Sequence, residues 1–488
     1  MIADKLYQLL TTGHYAYITE QKRLIPFLGS DGNPYLIVMG QTDGSEILYT
    51  GDFPGHIIPI TELINIIDVS AIDTKLPSYN IAWITNYLGA AVPNAKTFKG
   101  YTAAQLVEVQ YAQSGDTMVL VHPDVVPIFI QRLAPTLFLA FPFYALIPLL
   151  GYGGGLSLPD VSSISYPFYA WPFEDANANT NHTLTASAAT VGTGRTITSS
   201  KAFFGVTHIG AMFKVTSGGV TGLFEITAVT STTVVTVRII EALAGTGAYS
   251  DWEESSWSDF RGWPRSVCFF QQRLLFGGNS SFPDTIWGSK QGNIRWFDRK
   301  GYAPDAGYPG GDVATDALEH TLAAEQINRI QWLAADKNIG IGTELREWIG
   351  GPSDTTAAYG PLNFNYSAET AIGSSYVKAS RIENAIEFVE RDSQKIREFV
   401  FNFREDAYKS DDLTIDAEHM PRKSVELYAS VLVPKIIQIV IKFFGALIIM
   451  AVYLLVRETD KLDRLRGISI KLEDHFLVKL QKFYQFVL

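Results

Sequence analysis

One cysteine, Cys268, in 488 residues excludes a disulfide framework and any cysteine-built zinc site. Charge is scarce as well, at 18% of residues, and bases are the scarcer sign: 39 Lys and Arg against 50 Asp and Glu, net −11. That balance argues against a chain that wraps nucleic acid by neutralising phosphates. Residues 1–20 lack a basic start followed by an apolar run, so no secretory signal is visible. Disorder is excluded by what is abundant, 47% hydrophobic and 12% aromatic residues. At roughly 150 residues per domain, the length suggests about three domains or one large repetitive one.

Present instead is a recurring pattern of two apolar or alternating segments around a short polar turn. It occurs at 24–28 and 35–39, at 107–111 and 117–121, and at 266–270 and 274–278. It returns at 329–333 with 339–342, and at 385–389 with 396–401. Each pair has the composition of a β-hairpin. One hairpin cannot bury its own apolar face, so five must share a core. Radial repetition, as in a β-propeller, suits this arrangement. The spacing is irregular, so WD40 and kelch periods are absent, and a sandwich or several small β domains also fit.

The expected class is therefore all-β: a β-propeller-like body of hairpin repeats carrying a small inserted β domain, with an atypical apolar helical tail. Its parts are body at 1–133, a Pro/Gly/aromatic-rich connector at 134–179, the insert at 180–250, body again at 251–430, and the tail at 431–488. The uncharged run 134–150 holds Pro135, Pro142 and Pro148, which break an isolated helix and favour an extended segment over a membrane span.

Candidates for chemistry are few. His14, His56, His122, His182, His208, His320, His419 and His475 are scattered, with no H-E-x-x-H or other close ligand pair. Asp251, Glu253, Glu254 and Asp259 have the composition of a carboxylate pair for sugar hydrolysis, but adjacent acids in a Ser/Trp-rich link are expected as a solvated turn. The Gly cluster at 151–155 lacks the Lys-Ser/Thr of a phosphate loop, and 29–33 is a plain turn. Cys268, inside an apolar segment, is expected to be a buried small hydrophobe. Asn181 and Asn279 match the glycosylation pattern, which carries no weight without a signal. No catalytic, cofactor-binding or metal-ligating residue is assigned, and no cofactor is implied.

The most distinctive stretches are Trp257-Ser-Asp-Phe-Arg-Gly-Trp-Pro-Arg265, Phe270-Gln-Gln-Arg-Leu-Leu-Phe-Gly-Gly278 and Ile286-Trp-Gly-Ser-Lys-Gln-Gly292. With the segments at 106–116, 121–124, 316–333 and 342–348, they resemble bacteriophage tail structural proteins. These are akin to the tail tubular (nozzle) and packaged-DNA stabilisation proteins of short-tailed phages. The resemblance runs from about residue 22 to 430 and is most specific at 257–350. It implies a non-catalytic virion component, assembled in the host cytoplasm as a ring around the DNA exit channel. The implied partners are other copies of itself, the portal or adaptor, and distal tail proteins. Double-stranded DNA would pass through without specific binding. The alternative is a membrane-anchored carbohydrate- or surface-binding β protein.

The charge is split in a way that bears on both readings. Residues 1–430 carry net −15, whereas 431–488 carry 9 bases against 5 acids, net +4, with two glycines and no tryptophan. An acidic body suits a DNA conduit, because a basic lumen would hold the sliding duplex. For the tail three readings stand: a transmembrane helix at 436–456, interrupted only by Lys442; a soluble or interfacial helix pair; or residues translated out of frame from an A/T-rich gene.

Overall fold

The computed structural model describes residues 23–30, 32, 34–39, 55–59, 79–83, 101–134, 137–143, 165–170, 182–298, 313–323, 326–382, 384–392, 395–402, 404 and 407–414. The tail at 431–488, with its candidate membrane segment, lies outside them. Among the described residues no helix is long and apolar enough to cross a membrane. These residues form an all-β protein of antiparallel sheets.

Polar turns cut the body into short strands, and each set of four pairs in sequence order as a meander. The first is β1 (Arg23–Leu28), β2 (Pro34–Met39), β3 (Gly55–Pro59) and β4 (Tyr79–Trp83). The second is β5 (Gln110–Ser114), β6 (Thr117–His122), β7 (Val125–Ala134) and β8 (Leu137–Pro142). A parallel pairing of β4 with β8 joins these two into one sheet of eight. Between the second and third meanders an insert sheet forms from β9 (Phe168–Ala170), β10 (Leu184–Ala186), β11 (Gly192–Ser199), β12 (Met212–Ser217), β13 (Val220–Val229), β14 (Val234–Glu241), β15 (Ala248–Tyr249) and β16 (Asp251–Ser255). Its strand order is β15-β10-β11-β14-β13-β12-β16-β9.

The third meander is β17 (Ser266–Phe270), β18 (Arg273–Gly277), β19 (Thr285–Gly288) and β20 (Leu318–Thr321). The fourth is β21 (Ile330–Ala335), β22 (Ile339–Thr343), β23 (Glu347–Gly351) and β24 (Asn365–Thr370). The fifth is β25 (Ser380–Ile382), β26 (Ala385–Val389), β27 (Ile396–Asn402) and β28 (Ala407–Asp412). The five expected hairpins are β1–β2, β5–β6, β17–β18, β21–β22 and β26–β27. The double meander of β1–β8 followed by three packed four-stranded meanders gives the body its propeller-like character.

Three boundaries differ from the sequence reading. Val107, expected in a strand, lies in α1 (Ala103–Glu108). A capping box starts this helix: the Gln105 amide donates to Thr102 Oγ1 at 3.3 Å, and the Thr102 amide to Gln105 Oε1 at 2.9 Å. The segment 134–179, expected as a connector, contributes β8 and β9. In β8 the prolines obscured an alternation that buries Phe138 and Ala140 completely. The insert sheet likewise runs past 180–250 at both ends, because β16 pairs with β12 on one side and β9 on the other.

The meanders are held together through their faces. Phe27, Tyr35 and Phe138 pack edge to face across the first and second, with centroids 5.1–6.3 Å apart. Trp257, wholly buried, gathers Phe143, Tyr166, Phe276, Trp287 and Phe297 around it. Leu275, Ile286, Ile330, Ile341 and Trp348 fill the seam between the third and fourth meanders. Trp332 fills the next seam, against Phe388. Each such side chain contributes about 2–3 kcal/mol by leaving water. Gly342 is required beside Trp332, since a Cβ there would overlap the indole.

Candidate functional site

The acidic cluster at 251–254 is not a solvated turn. It is β16, an interior strand of the insert sheet, and neighbouring strands bury it. Side chains alternate across a strand, so Glu253 and Glu254 point to opposite faces. Glu254 is 0% exposed, and its Oε2 accepts from the Tyr169 hydroxyl at 2.6 Å and from Arg261 Nη2 at 2.8 Å. Glu253, on the other face, lies 3.7 Å from Lys214 Nζ, which also pairs with Asp298 and sits over the Phe168 ring. Glu241 nearby is pushed up by burial, with Lys214 pulling it down and Asp298 adding to the rise. Asp251 is exposed. Asp259 accepts from Trp263 Nε1 at 2.8 Å. The candidate carboxylates therefore do not converge in one cleft, and Glu253 and Glu254 each have a fixed cation. Glu253–Lys214 closes within the insert sheet, while Lys214–Asp298 and Glu254–Arg261 tie the insert to the chain that follows it.

The distinctive stretch at 257–297 is absorbed by packing and by backbone anchoring. Arg273 is fully buried and donates to the carbonyls of Ser289 and Asp316, each at 2.6 Å, and to those of Ala314 and Tyr359. Burial pushes its pKa down, against Tyr359 and Asp316. Arg295 donates to the Phe143 carbonyl, and burial pushes it down to about 9. Asn279 is wholly buried; its Nδ2 donates to the Ser256 carbonyl at 2.8 Å while its Oδ1 accepts from the Phe282 amide at 2.7 Å. A glycan has no access to it. Gln271 and Gln272 hold φ of +44° and +62° in the tight β17–β18 turn, and Gln271 Oε1 accepts from the Tyr359 amide. Cys268 is buried, and desolvation lifts its thiol to about 12, leaving it unreactive.

A second constellation escaped the sequence reading. Gln110 Nε2 donates to the Gln331 carbonyl at 2.6 Å across 221 residues. Arg265 Nη2 donates to Gln331 Oε1 at 3.1 Å, and its guanidinium lies over the Tyr376 ring at 4.4 Å. Lys378 lies over Tyr111, and Gln331 Nε2 donates to Glu344 Oε1. His122 donates from Nε2 to Glu108 and accepts from the Asp124 amide; burial pushes its pKa down, against Glu108 and Asp124. Residues from the second, third and fourth meanders and the lead-in to the fifth thus meet where the first strands β5, β17, β21 and β25 begin. Exposed Ile327 and Leu345 border this mouth, Leu345 donating to Asn328 Oδ1. The available signal was positional: Gln110, Arg265, Gln331 and Lys378 each stand in or just before the opening strand of a meander.

The described histidines are dispersed. His320 Nδ1 accepts from Tyr366 at 2.9 Å and its ring stacks on Phe364, while His182 bonds Ser199 at 2.6 Å. Among the described residues no three His, Cys, Asp or Glu side chains are grouped as metal ligands.

No family model matches the chain, and no curated protein does. Among solved structures, it matches the phage phi92 endosialidase at 10% sequence identity and a TM-score of 0.22. The match covers 79% of this chain and 52% of that one, so it spans about half the length of that protein.

Proposed function

We propose that the chain is a structural, non-catalytic component of a phage virion tail, a nozzle-like ring wall around the DNA exit channel. One observation carries this reading: the residues behind the phage-tail resemblance, Trp257, Arg265, Arg273 and Trp287, serve as joints between sheets. Closely packed sheets resist deformation, as a pressurised conduit requires. The acidic body at 1–430 favours passage of DNA over capture. Docking of neighbours would fall to the insert and to the mouth around Ile327 and Leu345. The test is negative-stain microscopy of the full chain mixed with phage portal and adaptor proteins. Closed rings with a central channel are expected. A chain that stays monomeric with them yet binds defined glycans on an array would overturn the reading in favour of a surface-binding β protein.

A further inference from the structure

The fifth meander has two unlike faces. Alternation along β26 turns Ile386 and Phe388 toward Trp332 of the fourth meander, and Ala385, Glu387 and Val389 the other way. On this second face Glu387 is 9% exposed. The antiparallel register sets Glu387 directly opposite Glu398 of β27, and Glu398 opposite Asp411 of β28. On the other side Ser380 of β25 stands opposite Glu387; its hydroxyl is buried and has no hydrogen-bond partner. Directly opposed side chains in such a pair have Cβ atoms roughly 4.5–5.5 Å apart, and like charges there repel.

The cations of this sheet are engaged elsewhere. Arg381 pairs with Asp336 of the fourth meander, Arg397 with Glu390, and Lys395 with Asp412. Lys409 shares the acidic face but stands opposite Val400, beside Asp411 rather than beside Glu387. Among the described residues, then, Ser380 and Glu398 are the polar groups in register with Glu387. Two close carboxylates without a cation cannot both ionise cheaply, and the remedy is to hold one proton between them.

We infer that Glu387 and Glu398 form a proton-sharing carboxylate pair that tightens the fifth meander at mildly acidic pH and loosens it as pH rises through neutrality. The proton comes from solvent, and the carboxyl that takes it donates to the other carboxylate or to Ser380 Oγ. No bond other than O–H forms or breaks. Burial, and secondarily the Glu398 charge, lift the Glu387 pKa from 4.5 to about 7. Between those values the folded state keeps a proton that the unfolded state has lost. Stability therefore falls as pH rises through that window, and the full penalty applies above about 7.

Hydrogen exchange of the full chain tests this, with protection factors for 385–402 corrected for the intrinsic pH dependence. Between pH 6 and 8.5 protection is expected to fall about tenfold or more in the native sequence. In Glu387→Gln it should change less than about threefold, and protection at pH 8.5 should exceed that of the native chain. Glu398→Gln removes only the secondary cause, so it should move the transition to lower pH without abolishing it, and decides the matter should Glu387→Gln not fold. A native profile as flat as that of Glu387→Gln, or a transition that Glu398→Gln leaves where it is, overturns the pair.

Discussion

The insert and the meander body are both antiparallel β, yet they draw stability from different places. In the insert, one sheet curls so that β15 returns against β12, and its long β-branched strands enclose their own core of Phe213, Phe224, Val237 and Trp252. In the body the eight-stranded sheet packs its two halves around Phe27, Tyr35 and Phe138, and the later meanders pack as separate sheets. Large aromatics fill the space between neighbouring meanders. Damage should accordingly stay local in the insert and spread across sheets in the body.

The sharpest way to break this contrast is Trp332→Ala. Removing a wholly buried indole should cost about 3–5 kcal/mol, and exchange protection should drop in both the fourth and fifth meanders. Phe213→Ala should cost a similar amount but lower protection only across 168–255. If each substitution affected both regions alike in urea titration and exchange, the contrast would be wrong.

The joint between the two regions comes next. Arg261→Met leaves the Glu254 carboxylate buried without its cation and should destabilise by about 3 kcal/mol. Adding Glu254→Gln should restore most of that loss in urea denaturation, because the cost lies in the orphaned charge. No recovery in the double variant would mean that Arg261 acts through packing over Tyr169 and Phe260 instead.

A smaller effect probes the seam between the first and second meanders. Asp116 feels burial pushing its pKa up, but hydrogen bonds from the Ser30 hydroxyl and amide, with Arg132, hold it below 3.8. A depressed carboxylate stabilises the fold above its unfolded pKa and loses that contribution as pH falls through the folded value. Asp116→Asn should therefore cost about 1–2 kcal/mol at pH 7 and progressively less as pH falls below 3.8, read as the shrinking gap between two melting curves. The smallest effect is at a turn of the body, between β17 and β18. Gln272→Gly should stabilise by about 0.5–1 kcal/mol, since it relieves a left-handed side-chain residue in a hairpin turn. A loss of stability there would show that the Gln272 side chain matters more than its backbone.

How much of this was legible in the sequence varied with range. All five hairpins could be read, because turn residues and period-two alternation are local signals. The strand Leu137–Pro142 was obscured by prolines at its margins, and α1 by a capping box inside an apolar run. The acids at 251–254 could be read as charges but not as buried charges, since Lys214 reaches Glu253 from β12 and Arg261 reaches Glu254 from the turn beyond the strand. The mouth was illegible for the same reason at longer range: Gln110 and Gln331 meet only when three meanders have stacked.

By itself, the sequence determined that the chain is all-β, that its repeats are hairpins, and that Cys268 lies in an apolar strand. Those follow from residue preference and alternation, which act within a few positions. Only the tertiary structure decided which carboxylates are neutralised, where the first strands converge, and that Glu387 faces Glu398. Those depend on register and on which faces meet, and a one-residue slip in register would turn every one of them to the other side.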